Sequence, residues 1–245
     1  MKLKARKRQL RMYSGLLAIL FIFLGVAITI IVSKSKDGNN IAKNGIAQTE
    51  DISLSKTMIS EPKIIVLDPG HGGEDPGCSV GDIYEDDINL SIAKKLKPML
   101  ENAGYVVYMT REDDAFVGVR DRANYANEIG ADLYISIHQN SESAIVTTNG
   151  TVNGVEVWYN SEKDESSMHL AQVIQDTLVN TTEAKNLGIK IENEFVVIRD
   201  TTMPSCLIEC GYISNKAERK RLTTEDYQDK LAKGILEGIK NYFMN

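Results

Sequence analysis

From Lys63 onward, short apolar runs alternate with stretches whose apolar residues recur every three or four positions, and few folds satisfy that alternation. Lys63 to Asp68 (KIIVLD) reads as a buried strand ending in the turn pair Pro69-Gly70. Ile88, Ile92, Leu96 and Met99 predict a helix that stops before Gly104. Tyr105 to Arg111 follows as a strand, Val117 to Ile129 as a helix and Leu133 to His138 as a strand. Val155 to Tyr159 is the next strand, after a loop bearing Asn149-Gly150 and Asn153-Gly154. Leu170, Val173, Ile174, Thr177 and Leu178 mark a helix, and Phe195 to Ile198 and Cys206 to Cys210 predict the last strands. Tyr227, Leu231, Ile235, Ile239 and Tyr242 stripe a C-terminal helix. The order predicts an α/β fold: residues 63–245 as a single domain, with a mostly parallel sheet flanked by helices on both faces. A chain of 245 residues with 42% hydrophobic content can bury one good core of this kind rather than two large ones.

The N-terminal part reads differently. Gly15 to Val32 holds eighteen residues without a charge, close to the roughly 20 needed to span a hydrocarbon core as a helix. A cleavable signal usually has a shorter apolar region, about 7–15 residues, and no small-x-small site follows Val32. We therefore expect 15–32 to be an uncleaved transmembrane anchor, with secretion after signal cleavage as the alternative. Lys2, Lys4, Arg6, Lys7, Arg8 and Arg11 all precede the first acid, Asp37, so residues 1–14 are expected to form a basic cytoplasmic tail. Residues 33–62 are polar and aperiodic and read as a linker, which leaves the folded part on the extracytoplasmic side of a single-pass cell-membrane protein. Removing those six cations from the 28 basic residues leaves 22 against 34 acids, a formal charge of −12. Nucleic acid is excluded as a partner on that balance, because backbone binding needs clustered Lys and Arg. The lipid bilayer is the partner implied by the apolar span.

Cys78, Cys206 and Cys210 do not make a disulfide framework. On an extended strand Cys206 and Cys210 would lie about 13 Å apart, too far to bridge, and they lack CxxC spacing, so they read as small buried hydrophobes. Of three histidines, His71 follows the first predicted strand and His138 closes another, so both stand at strand ends, where open parallel sheets gather their sites. His169 lies in a helical pattern and is read as a surface or core residue. Two histidines with a carboxylate would suit a catalytic zinc with one position left for water. Glu85, Asp82, Asp86 and Asp87 all compete for that carboxylate, and spacing alone does not choose among them. Glu209 interrupts the apolar run CLIEC, where an unpaired charge would be costly. It is either a proton-transfer group or one half of an ion pair, with Arg199 the nearest named partner. Asp68 either forms the turn at Pro69-Gly70 or braces a ligand, and Asn140 either orients substrate or caps its loop.

Four ordered blocks resemble the zinc-dependent N-acetylmuramoyl-L-alanine amidases, the amidase_3 group: Ile65 to Gly77, Tyr84 to Ala93, Ala131 to Asn140 and Pro204 to Asn215. Thr110-Arg111 and Gly188-Ile189-Lys190 echo the same family, and the likeness covers about Lys63 to Asn245. The resemblance implies one Zn²⁺ per chain held by His71, Glu85 and His138, with Glu209 as the catalytic carboxylate. It implies hydrolysis of the amide between the lactyl carbonyl of N-acetylmuramic acid and the L-alanine of the stem peptide, with peptidoglycan strands as the substrate partner. The short layout also resembles a spore-cortex subgroup that removes stem peptides on the way to muramic lactam. A catalytically silent regulatory or binding homologue is disfavoured, because all four positions are kept. Asp86 stands where the family usually has Lys, Cys78 where a small residue is common, and Leu187 where Arg usually precedes Gly-Ile-Lys, which puts substrate contacts of that loop in question.

Overall fold

Six strands form the central sheet because their apolar residues can be buried on both sides at once. They are β1 (Ile64–Pro69), β4 (Val106–Met109), β5 (Leu133–Asn140), β6 (Val155–Tyr159), β7 (Asn186–Ile191) and β8 (Ser205–Tyr212), arranged in the order β4-β1-β5-β8-β6-β7. A separate two-stranded ribbon, β2 (Ser79–Val80) with β3 (Ile83–Tyr84), precedes the first helix. The computed structural model describes residues 61–142, 150–163 and 165–244. The expected basic tail (1–14), apolar span (15–32), all but the end of the linker (33–62) and Asn149 of the predicted loop lie outside the described residues. Among the described residues no helix is long and apolar enough to cross a membrane.

β1 pairs in parallel with β4 and β5, β5 with β8, and β6 with β7, while β6 meets β8 antiparallel. The mostly parallel sheet is therefore present, with β6 and β7 running against the other four. Its two faces are covered unequally. Side chains alternate along a strand, so Ile65, Leu67, Leu133, Ile135, Ile137, Cys206, Ile208 and Cys210 point to one face. There they meet three long helices: α1 (Glu85–Asn102), α3 (Glu165–Thr182) and α6 (Glu225–Met244). Gly238 of α6 lies so close to α3 that a Cβ would come 2.8 Å from Ile174 Cγ1. The other face carries Val66, Tyr134 and Leu207, covered by α2 (Val119–Ile129) and by the single turn α4 (Val196–Arg199). A short helix, α5 (Lys216–Leu222), is capped by the Asn215 side chain, which accepts from the Ala217 and Glu218 amides.

The predicted strand Phe195 to Ile198 is instead the helix turn α4, with Arg199 N bonded to Phe195 O at 2.8 Å. β8 already has β5 and β6 on its two sides, so this apolar run finds no free edge there and buries Val197 and Ile198 on the thin face. The edge position goes to β7, which includes Leu187-Gly188-Ile189-Lys190, so the segment expected as a loop is a strand. Cys206 and Cys210 are buried and free, as their spacing required.

Candidate active site

Strand register collects the polar residues of the thin face at one end of the sheet. Asp68 faces Ser136, His138 faces Glu209, and Glu209 faces Glu156. Asp68 and Ser136, His138, Glu209 and Glu156 occupy alternate positions to the apolar residues of their strands, so all five lie on the same face. β1 and β5 are neighbours whose outgoing connections diverge, leaving the crevice in which such sheets hold ligands. His71 sits in the loop leaving β1, at φ +61°, a left-handed conformation that a non-glycine residue adopts only when its surroundings impose it. Arg122 is part of that imposition. It is buried, and donates to the carbonyls of Pro69, His71 and Val117 at 2.7–2.8 Å. Its Nη1 also meets Asp68 Oδ1 at 2.7 Å. Thr110 and Ser136 hydroxyls donate to the same carboxylate at 2.6 and 2.7 Å. Asp68 thus neither forms the turn nor touches an imidazole; it anchors the His71 loop through Arg122.

Glu85 is the first residue of α1, where the helix dipole favours an acid, and its side chain is 2% exposed. Oε1 lies 3.0 Å from His138 Nδ1 and 3.3 Å from His71 Nε2. The Gln139 amide donates to Oε1 at 3.1 Å and the Cys78 amide to Oε2 at 2.8 Å. His71 Nδ1 lies 2.8 Å from Asp75 Oδ2, brought back to it by the tight Gly72–Asp75 turn. One donor atom from each of His71, Glu85 and His138 falls within 4.8 Å of the others. Asp82, Asp86 and Asp87 are not part of the cluster. Two nitrogens and an oxygen on rigid elements, with the outer nitrogen of one imidazole held by a carboxylate, suit zinc with an open position. Burial alone would lower His71, but Glu85 and Asp75 outweigh it and raise its pKa to about 9. Burial likewise works against an ionised Glu85, yet the two imidazoles hold its carboxyl well below the usual range. Glu85 and Asp75 together make the cluster favour positive charge at His71.

Glu209 faces the same cleft, a cavity of about 500 Å³ lined also by Cys78, Phe116 and Phe195. The residue keeps partial exposure, but Oε2 is sealed from solvent and has no hydrogen-bond partner. Burial, then the carboxylates of Glu85 and Glu156, push its pKa well above the ordinary value. Arg199 is not its partner: that guanidinium meets Asp200 at 2.7 Å and Glu194 at 3.5 Å. Asn140 Nδ2 donates to Glu156 Oε1 at 2.7 Å, and its Oδ1 accepts from the Ser141 amide at 2.6 Å. The Tyr212 hydroxyl donates to the same Glu156 oxygen at 3.1 Å. Asn140 lines the cleft while capping its own loop. His169 is exposed on α3, its ring 5.5 Å from that of Tyr242, away from the cluster.

A family model described as N-acetylmuramoyl-L-alanine amidase matches residues 65–241, from the first strand into the last helix. The chain belongs to that family. The amidase resembles an N-acetylmuramoyl-L-alanine amidase from Clostridium difficile 630, at 39% identity and a TM-score of 0.71 over 76% of this chain and 99% of that one. It resembles the CwlD amidase of Clostridioides difficile, solved in complex with the GerS lipoprotein, at 33% identity and a TM-score of 0.69 over 74% and 98%. In sequence it is 31% identical to the N-acetylmuramoyl-L-alanine amidase LytC of Bacillus subtilis over 87% of this chain and 42% of LytC, so it spans less than half of that relative. It is thus an enzyme of the bacterial cell wall, as the four sequence blocks implied.

Several residues that shape the amidase site were not singled out from sequence. Asp75, Arg122, Glu156 and Tyr212 carried no pattern distinguishing them from surface charges and strand aromatics. Gly70 and Gly77 could have been found only by asking what a side chain would meet. A Cβ on Gly70 would come 2.1 Å from the His138 ring, and one on Gly77, at φ +66°, would come 2.5 Å from Glu85 Oε2.

Proposed function

We propose that the amidase is zinc-dependent and hydrolyses the amide between the N-acetylmuramic acid lactyl carbonyl and L-alanine of the stem peptide. The observation that carries this reading is the convergence of His71, Glu85 and His138 beside a carboxylate oxygen of Glu209 that has no other partner. His71, Glu85 and His138 would hold the ion, with Asp75 orienting His71. A bound Zn²⁺ supplies Lewis-acid chemistry, polarising a carbonyl and making water a nucleophile near neutral pH. Glu209 takes the proton as the water oxygen bonds to the lactyl carbon. It returns that proton to the alanine nitrogen as the C–N bond breaks, leaving a free lactyl carboxylate and a free amine. The raised proton affinity of Glu209 suits the second transfer. Phe116 and Phe195 give the cleft apolar walls for a substrate that carries methyl groups on both sides of the scissile bond.

The full chain in detergent is expected to bind about one zinc and to release free stem peptides and peptide-free glycan from purified peptidoglycan, read by mass spectrometry. Chelation should abolish release and added zinc restore it. Glu85→Ala should lose the metal and Asp87→Ala should keep it; the reverse pattern overturns the ligand set.

Trimming of cortex peptidoglycan during sporulation is a second reading, supported by the resemblance of the short layout to a spore-cortex subgroup; the chain also matches 98% of the CwlD amidase. A protein partner such as the GerS lipoprotein solved with CwlD belongs to that reading. Muramic lactam missing from spores of a deletion strain supports it, and normal cortex with altered vegetative wall removes it. We further propose that Gly15–Val32 anchors the chain with its N-terminus inside. Protease added to wall-stripped cells should then cut after residue 40. Protection there refutes the topology, and a mature chain beginning near Ser33 means that the segment is cleaved.

A further inference from the structure

The carboxylate and one imidazole of the cluster sit on segments that a single guanidinium joins. Arg111, just beyond β4, is 4% exposed. Its Nε donates to the Pro69 carbonyl at 2.9 Å, and its Nη1 to that of Asp113 at 3.0 Å. Its Nη2 donates both to the Gly70 carbonyl at 2.9 Å and to the Asp86 carbonyl at 2.8 Å. Four of the five N–H groups therefore end on main-chain oxygens, and none of these bonds goes to a carboxylate. A buried cation is a costly way to fill volume, and a well-packed apolar side chain often does as well or better. What the guanidinium does beyond filling space is to hold two carbonyls at a fixed separation from one nitrogen. Gly70 immediately precedes His71, and Asp86 immediately follows Glu85.

We propose that Arg111 is a positioning residue for the metal cluster, setting the separation of His71 and Glu85 by bridging Gly70 to Asp86. The inference rests on the zinc reading above. The loop passes close to this side chain: a Cβ on Gly72, at φ +126°, would come 2.4 Å from the Ala115 carbonyl oxygen and 2.9 Å from Arg111 Nε. Arg122 does a different job, since its bonds reach Asp68, Pro69, His71 and Val117 but not α1. Lysine cannot replace Arg111, because a point charge on a flexible stem lacks the rigid fork that spans the carbonyls.

The test is zinc affinity, measured on the full chain in detergent by competition with a chromogenic chelator. Arg111→Lys is expected to bind zinc about 10–100-fold more weakly, the usual cost of losing an outer-sphere support. Leu178→Ala, in the core between α3 and α6, serves as a destabilised control and should keep wild-type affinity. Unchanged affinity in Arg111→Lys overturns the proposal. So does an equal loss in Leu178→Ala, which would make the effect one of general instability. If Arg111→Lys folds only with metal, the free zinc at which it refolds reports the same quantity, and refolding at wild-type zinc levels likewise overturns it. A wild-type chain that binds no zinc removes the metal reading, and this inference with it.

Discussion

Glu209→Gln is expected to fold, to carry zinc and to turn over about 10²–10⁴-fold more slowly, the usual cost of losing a general base. That corresponds to roughly 3–5 kcal/mol of transition-state stabilisation. Glutamine keeps the shape and fills the same space, so no cavity opens, but it can neither take the proton from water nor return one to the alanine nitrogen. The stability sign is also fixed. A carboxyl whose folded pKa is raised contributes stability that is present below its unfolded pKa and lost as pH rises. At neutral pH the metal-free wild type has lost some or all of that contribution, whereas glutamine does not titrate and loses none. The metal-free variant should melt no lower than the metal-free parent near pH 7. Zinc loss on substitution would make Glu209 a ligand, and near-normal turnover would move the base elsewhere.

The largest loss of stability is expected at Arg122→Leu. The guanidinium and the Asp68 carboxylate are 3% and 0% exposed and 2.7 Å apart. Removing the cation leaves an unpaired buried carboxylate, at a cost of about 3–5 kcal/mol. Urea midpoints at constant slope would measure it, and a shift within the range of ordinary surface substitutions would refute the account. Burial on its own would raise the Asp68 pKa; Arg122 and the hydroxyls of Thr110 and Ser136 outweigh it and hold it below 3.8. A depressed carboxylate contributes stability that is present above its unfolded pKa and lost as pH falls through the folded value. Wild type should therefore lose this contribution only below about pH 4, whereas Arg122→Leu should be weaker already at neutral pH and lose less on acidification.

Periodicity located most elements, because a buried strand and an amphipathic helix impose different spacings. Val155–Tyr159 appears with the bounds its residues suggest, and α1 and α6 with their apolar stripes inward. Phe195 to Ile198 was misread because β-branched residues announce burial rather than backbone form, and a filled sheet left only the helix turn. β7 escaped notice since Gly188 at φ +79° breaks its alternation, and α5 since seven residues carry little period beyond their Asn215 cap. At the site, chain order was enough to bring His71 and His138 to one end of the sheet. It was not enough to choose Glu85, since four nearby acids share one stretch and only three-dimensional direction separates them; the family likeness chose it. Arg122 and Glu156 were invisible because their partners are 54 and 53 residues away, at Asp68 and Glu209.

The unequal cover of the sheet has a consequence for how such an enzyme can change. Three long helices and most of the large buried side chains lie on the face opposite His138 and Glu209, where only the first residue of α1, Glu85, reaches the cluster. The face with the cluster is roofed near the cleft by Phe116, Val117, Val119 and the turn after Phe195. Most of the apolar burial thus lies on the side of the sheet away from the cleft. Lineages can remodel the cleft roof for different stem peptides while drawing on a reserve of stability that those changes do not touch.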